Sequence, residues 1–253
     1  MTAVLWHIEL SHYNEKARWA LDYKGVSYEL RAPMPGFHGA RALYETRGKQ
    51  RRLPVLELDG RTIGDSTAII AALEEHTPEP PLYPADPAER ARALALEDYF
   101  DEELGPEVRR FGWHHLLADP DAAAEALFRG KSPLRAKVLR TTFGAARLSV
   151  RADYGIDADS DEAPRRAVLV AMDRLEAELD GRDHLVGDTF TVADLTAAAL
   201  FTPLVRPPER PFMPDAVAPP LEAFGDELMA RPGGQWILDT YRRHRGVYAG
   251  VPA

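Results

Sequence analysis

The spacing of apolar residues changes character once along the chain. Over roughly the first 76 residues, short β-prone runs alternate with helical spacing. Val4 to Ile8 is the first apolar run. Asn14 to Lys24 then places Ala17, Ala20, Leu21 and Lys24 at helical intervals, with Gly25 as its stop. Val26 to Leu30 predicts a second strand, followed by a loop containing Pro33, Pro35, Gly36 and Gly39. Leu53 to Leu58, the dipeptide Asp59-Gly60, and Arg61 to Ile63 predict a two-residue β-hairpin, because Asp-Gly tolerates the positive φ angles of a type I′ turn. Thr67 to Glu75 carries Ile69, Ile70 and Leu73 on one stripe, so Asp65-Ser66 falls at a helix start. The predicted order is β-α-β, a loop, then β-β-α.

A proline-rich joint, Thr77 to Pro84, closes this unit, and everything beyond it reads as helical. Asp86, Pro87 and Glu89 supply a cap, a first-turn proline and a capping-box acid to a long helix through Leu94, Phe100 and Leu104, which Gly105-Pro106 should break or kink. Further helices are predicted over Asp121 to Arg129, Pro133 to Arg151, Ala163 to Leu179, Thr191 to about Thr202, Leu221 to Ala230 and Gln235 to Arg245. Prolines 203, 207, 208, 211, 214, 219 and 220 predict an extended, irregular stretch. The expected organisation is an α/β domain over residues 1–78, a linker over 79–87 and an all-α domain over 88–253.

Composition narrows the chemistry. The 253 residues carry 31 basic and 40 acidic side chains, a formal charge of −9, and no basic run long enough to attract a phosphate backbone, so no nucleic-acid partner is expected. No stretch approaches a membrane span and the start lacks a leader pattern, which makes the cytoplasm the expected location. With no cysteine, the chain offers no disulfide, thiol nucleophile or thiolate ligand, and disulfide reductase chemistry is excluded. Adjacent His114 and His115 point about 100° apart on a helix and have no second cluster, so no metal is expected. Abundant Ala and Arg with few Lys suggest a G+C-rich source.

Four segments, in order, carry a resemblance: Ser11-His12-Tyr13-Asn14-Glu15-Lys16-Ala17-Arg18-Trp19, Arg52-Leu53-Pro54-Val55-Leu56, Asp65-Ser66 eleven positions after Pro54, and Val186 to Leu195 with its Thr191/Asp194 capping box and Phe190 staple. Together they resemble the cytosolic glutathione S-transferases, which implies a thioredoxin-like N-terminal domain and a helical-bundle C-terminal domain. The resemblance is thinnest over 112–163, where the chain is long for the family.

The resemblance implies glutathione as cosubstrate and a small hydrophobic electrophile as its partner, in a homodimer. Asp65 would pair with the γ-glutamyl ammonium, and Ser66 would offer a hydroxyl and free amides to the carboxylate. Leu53, before a cis Pro54, would pair with the cysteinyl segment as an added strand, and Arg52 would take the glycyl carboxylate with Lys49 as substitute. Ser11 would donate a hydrogen bond to the sulfur, with Tyr13 as rival donor, so that the helix dipole and donor together favour thiolate. Ser11 and the Asp65-Ser66 pair also read as plain helix caps. Trp6 and His7 are read as core or interface, while Trp113, Tyr99, Phe100 and His12 are candidates for an apolar pocket or for core packing. A non-catalytic binding protein on the same fold, a glutathione-dependent isomerase or dehalogenase, and another low-molecular-weight thiol remain open.

Overall fold

In the computed structural model, which describes residues 3–34, 36–128, 133–157, 160–214, 217–246 and 249–252, the N-terminal apolar run becomes strand β1 (Ala3–Trp6). It is followed by α1 (His12–Tyr23), β2 (Tyr28–Arg31), α2 (His38–Glu45), β3 (Val55–Leu58), β4 (Arg61–Gly64) and α3 (Ser66–His76). β2 runs parallel to β1, with Leu5 opposite Leu30, whereas β3 runs antiparallel to β1, with Leu5 opposite Leu56. The β3–β4 hairpin turns at Asp59 (φ 49°) and Gly60 (φ 76°), the two positive φ angles that the Asp-Gly signal predicts. This is a thioredoxin-like sheet with helices, as the resemblance implies.

Two elements depart from the sequence reading. α2 occupies part of the expected loop; it has no side-chain cap and buries only Ala42, too little apolar surface to mark a helical period. Ala42 packs against Trp6, Leu53 and Val55, and so ties this helix to the strand that follows Pro54. The C-terminal end, placed by the sequence reading in the all-α domain over 88–253, instead forms a fifth strand, β5 (Gly250–Pro252), parallel to β2, giving the order β4-β3-β1-β2-β5. Three residues containing a proline carry no periodicity of their own. An edge position accepts proline because one side of the strand needs no donors.

The helical part comprises α4 (Pro87–Tyr99), α5 (Gly105–Leu116), α6 (Pro120–Phe128), α7 (Pro133–Tyr154), α8 (Glu162–Leu179), α9 (Val192–Val205), α10 (Pro219–Met229) and α11 (Pro232–His244). Pro35 and Arg129, named above, lie outside the described residues. The break expected at Gly105-Pro106 is instead one π turn (Phe100–Leu104) that links α4 to α5 continuously. Pro106 lacks an amide proton and its ring crowds the carbonyl of residue 102; a wider turn accommodates both defects, and Gly105 N donates to Phe100 O, five residues back. α9 also runs past its expected end and includes Pro203. The Ala199 carbonyl that Pro203 cannot bond accepts instead from the Thr202 hydroxyl at 2.6 Å. Among the described residues, no helix is long and apolar enough to cross a membrane.

α9 is apolar on all sides and packs among α1, α4, α5, α10 and α11, which makes it the centre of the core. Its start is the predicted capping box: Asp194 Oδ2 accepts from Thr191 N and Oγ1, both at 2.8 Å, and Oδ1 accepts from Leu185 N at 2.8 Å. Phe190 stacks on Trp19 and on His244, with ring centroids 5.6 and 4.4 Å apart, and thereby joins α1 to α11.

α1 meets this core with charges as well as methyl groups. Glu15, Lys16 and Arg18 are each completely buried. Lys16 Nζ lies 2.9 Å from Glu97 Oε1 on α4, from Asp101 Oδ1 in the π turn, and from Thr67 Oγ1 on α3; Thr67 Oγ1 in turn donates to Asp101 Oδ2 at 2.9 Å. One ammonium thus joins three elements. Lys16→Met should cost about 3–5 kcal/mol in urea unfolding, because it strands two buried carboxylates, and adding Glu97→Gln should recover part of that loss. A loss under about 1 kcal/mol, or strictly additive effects, would show that the cluster does not hold α1 in place.

Candidate functional site

Ser11 is the N-cap of α1, with φ −72° and ψ 128°, and its Oγ accepts from Asn14 N at 3.4 Å. The turn before it is braced by side chains. Arg18 Nη2 donates to Glu9 O at 3.1 Å, Arg210 Nη2 donates to Leu10 O at 2.8 Å, and Ile8 N donates to Asn14 Oδ1 at 3.1 Å. Arg18 is held in turn by Glu15 Oε2 at 2.9 Å, and Arg245 Nε reaches Glu15 Oε1 at 2.7 Å. Burial alone would raise the Glu15 carboxyl, but Arg245, Arg18 and Arg210 more than offset it, so Glu15 titrates below the usual range. Burial lowers Arg210 to about 10, which still leaves it a cation at neutral pH.

The other nominated segments converge on the same end of α1. Asn14 Nδ2 donates to Leu53 O at 3.2 Å, which brings the cis Leu53–Pro54 bond beside the Ser11 turn. The Lys16–Thr67 hydrogen bond draws in the start of α3. There Asp65, with φ 76°, is the N-cap: its Oδ1 accepts from Thr67 N at 2.9 Å and Ala68 N at 3.3 Å. Two of the amides expected to be free for a ligand are therefore occupied by Asp65 itself. Ser66 is buried, and among the described residues its hydroxyl has no hydrogen-bond partner.

Tyr13 is engaged elsewhere. Its hydroxyl donates to Asp101 O at 2.6 Å and packs so tightly on Gly105 that a Cβ there would collide with it. Burial pushes the Tyr13 phenol well above its ordinary value. His12 is buried beside it and its Nε2–H donates to Gly105 O at 3.0 Å, so the pair staples the start of α1 to the π turn. Arg52 is exposed and lies close enough to Tyr13, Arg109 and Tyr154 to act on their charges. Lys49 is exposed.

Several residues had no sequence signal. Arg210 sits in the proline-rich stretch, 200 positions from the carbonyl it holds, and Arg109 reads as one of many helix-surface arginines. Among the pocket candidates, Phe100 is core, Tyr99 meets it edge-on, and Trp113 stacks on Tyr154 with ring centroids 5.9 Å apart. His115 Nε2 bonds Asp161 Oδ1 at 2.9 Å, and among the described residues no group of three or more His, Asp or Glu side chains could hold a metal. Trp6 and His7 are buried: Trp6 donates to Glu57 Oε1 at 2.6 Å, and His7 Nδ1 lies 2.9 Å from Arg18 Nη1.

Residues 5–81 match the family model for the glutathione S-transferase N-terminal domain, and residues 133–232 match that for the C-terminal domain. The chain is 34% identical over 107 residues to maleylacetoacetate isomerase of Rattus norvegicus, a match spanning 41% of this chain and 49% of the relative. The chain thus spans about half the length of the first curated relatives it matches. Among solved structures, the β-etherase LigF of Sphingobium sp. strain SYK-6 superposes with a TM-score of 0.62 at 26% identity, over 95% of this chain and 100% of that one. A glutathione S-transferase of Methylobacterium radiotolerans in complex with glutathione sulfonate superposes with a TM-score of 0.52 at 26% identity, over 93% of each chain.

The His12 contact has a pH signature. Burial, aided by Arg109 and Arg210, holds the imidazole at about 3 in the folded protein, against 6.5 for an ordinary histidine. Between those values the unfolded chain takes up a proton that the folded one refuses. The His12 contribution is therefore complete above pH 6.5 and is lost as pH falls towards 3, by at most about 1.4 kcal/mol per pH unit. His12→Gln, which keeps a donor for Gly105 O, should flatten the fall in urea midpoint between pH 6.5 and 4.5. Parallel curves for the two proteins would contradict a neutral buried imidazole.

Proposed function

The chain belongs to the glutathione S-transferase family, and from that premise we propose that it adds the thiolate of glutathione, or of a related low-molecular-weight thiol, to a hydrophobic electrophile. The observation that carries this reading is the state of Ser11. Its Oγ accepts from Asn14 N at the head of α1 and so keeps its own proton for a sulfur placed there. Ser11 rather than Tyr13 is the sulfur donor in this reading, because the Tyr13 proton already goes to Asp101 O. Thiolate formation is then favoured by one hydroxyl and by the positive end of the α1 dipole, and positioning supplies the rest of the rate.

The remaining roles follow the same geometry. The Ser66 hydroxyl takes the γ-glutamyl carboxylate, and Asp65, whose Oδ1 caps α3, turns Oδ2 to the ammonium. Leu53, before Pro54, pairs with the cysteinyl backbone; since its carbonyl already accepts from Asn14, the second lone pair and the amide serve this contact. Arg52 takes the glycyl carboxylate. In this reading residues 1–78 bind the thiol, 79–87 link, and 88–253 shape the electrophile site, in a cytoplasmic homodimer. A second reading, glutathione-dependent isomerisation, is favoured by the similarity of the chain to maleylacetoacetate isomerase; there the same thiolate adds to a double bond and leaves again.

Isothermal titration with reduced glutathione at pH 7 tests the site. Saturable binding at millimolar affinity or tighter is expected, and Ser66→Ala should weaken it by about 1–3 kcal/mol. Ser11→Ala should bind comparably but turn over 1-chloro-2,4-dinitrobenzene about a hundredfold more slowly. If Tyr13→Phe shows that loss instead, the donor assignment is wrong. If wild type fails to bind glutathione, the cosubstrate is another thiol or the protein is a binding protein on this fold.

A further inference from the structure

None of the roles above uses Arg109, on the first turns of α5 directly behind Tyr13. Its guanidinium carbon lies 5.6 Å from the centre of the Tyr13 ring and 4.9 Å from that of Tyr154, which stacks on Trp113. The other arginines around α1 and α5 have acidic or carbonyl partners: Arg18 has Glu15, Arg245 has Glu15 and Asp22, Arg110 has Glu107, and Arg210 has Leu10 O. Arg109 has none. Among the described residues its side chain makes no ion pair or hydrogen bond, and its Nε is buried without a partner. Burial and the neighbouring Arg52 both lower it, the strain expected of a desolvated cation facing a second cation.

The surroundings sharpen this. A carboxylate that acts on Arg109 is that of Asp153, and it is already 3.3 Å from Arg51 Nη2. Asp101 and Glu102 act on Tyr13 from the preceding turn, with Asp101 Oδ1 paired to Lys16. With Asp101 taken by Lys16, the three arginines Arg51, Arg52 and Arg109 are set against Asp153 and Glu102, which leaves a small local positive excess on a chain whose net charge is −9. Aromatic rings flank the unpaired cation, so the wall suits a flat body with an anionic end better than a neutral hydrophobe.

We propose that Arg109 binds the carboxylate of the second substrate, whose conjugated or aromatic body lies against Tyr13, Tyr154 and Trp113. The electrophile class is then an aromatic or conjugated organic acid, and Arg109 determines that specificity without touching the reacting atoms. This rests on the reading that a thiol occupies the Ser11–Ser66 face. Glutathione also carries carboxylates, so the experiment separates the two sources.

The probes are 4-chloro-3,5-dinitrobenzoate and its methyl ester, at saturating reduced glutathione. In both, the thiolate sulfur forms a bond to the ring carbon, chloride leaves with the C–Cl electron pair, and the thiol proton goes to solvent. Each kcat/KM is divided by the uncatalysed rate of the same compound, which removes the difference in ring activation. Wild type should favour the acid by about tenfold or more; Arg109→Met should lower that ratio by at least tenfold, and Arg109→Lys should retain part of it. An acid-to-ester ratio near one in wild type overturns the proposal. So does an unchanged ratio in Arg109→Met with a raised KM for glutathione, because the anion held would then be the thiol's own. If neither compound is turned over, the thiol reading fails separately, and tryptophan fluorescence titration with 3,5-dinitrobenzoate and its methyl ester decides. Acid binding at least tenfold tighter than ester binding, lost in Arg109→Met, upholds the anion site; equal affinities overturn it. Should Arg109→Met not fold, the wild-type ratios and Arg109→Lys carry the same test.

Discussion

Helix α1 buries three charged side chains, Glu15, Lys16 and Arg18, and the rest of the molecule is arranged to meet them. Lys16 faces α3, α4 and the π turn, while Glu15 and Arg18 face Arg245, Tyr241 and the turn before Ser11. Pairs of this kind contribute little net stability compared with well-packed methyl groups, but removing one partner is costly. Their consequence is geometric: α1 cannot rotate or slide without stranding a charge, so its N-terminus, and with it Ser11, points one way.

The same constraint explains why the site is built from element ends. Ser11 heads α1, Asp65 heads α3, and Leu53 precedes β3, each held by a contact that originates on α1 or caps its own helix. Such a site supplies oriented amides, hydroxyls and a helix dipole, which suit an anionic sulfur and a zwitterionic ligand better than proton shuttling would. The π turn serves this arrangement too. It carries Asp101 and leads directly into Gly105, so the widened segment and the residue after it are where Lys16, His12 and Tyr13 all attach.

Much of this was legible beforehand because the signals were local. The Asp59-Gly60 hairpin, the Asp65 and Asp86 caps and the Thr191/Asp194 box each need only a few neighbouring residues to act. What escaped depended on distant partners. α2 lacks a cap and is held by Ala42 against Trp6 and Val55, while β5 exists because β2 offers an edge and Asp22 accepts from Ala249 N at 2.9 Å. Pro203 stays helical because Thr202 satisfies the carbonyl that proline leaves unbonded.

The sequence by itself determined the two-part fold, the helix heads and the residue types that could face a thiol, since period, capping and turn chemistry are short-range. The tertiary structure alone decided that the Tyr13 hydroxyl is engaged by Asp101 O and which arginine lacks an acidic partner among the described residues. Ser11 and Tyr13 are equivalent candidates two positions apart until Asp101 O claims the tyrosine, and Arg109 resembles Arg110 until one finds Glu107 and the other finds two aromatic rings. Those outcomes are set by which groups meet after the helices pack, and a side chain's partner across 88 residues leaves no periodicity in the chain to read.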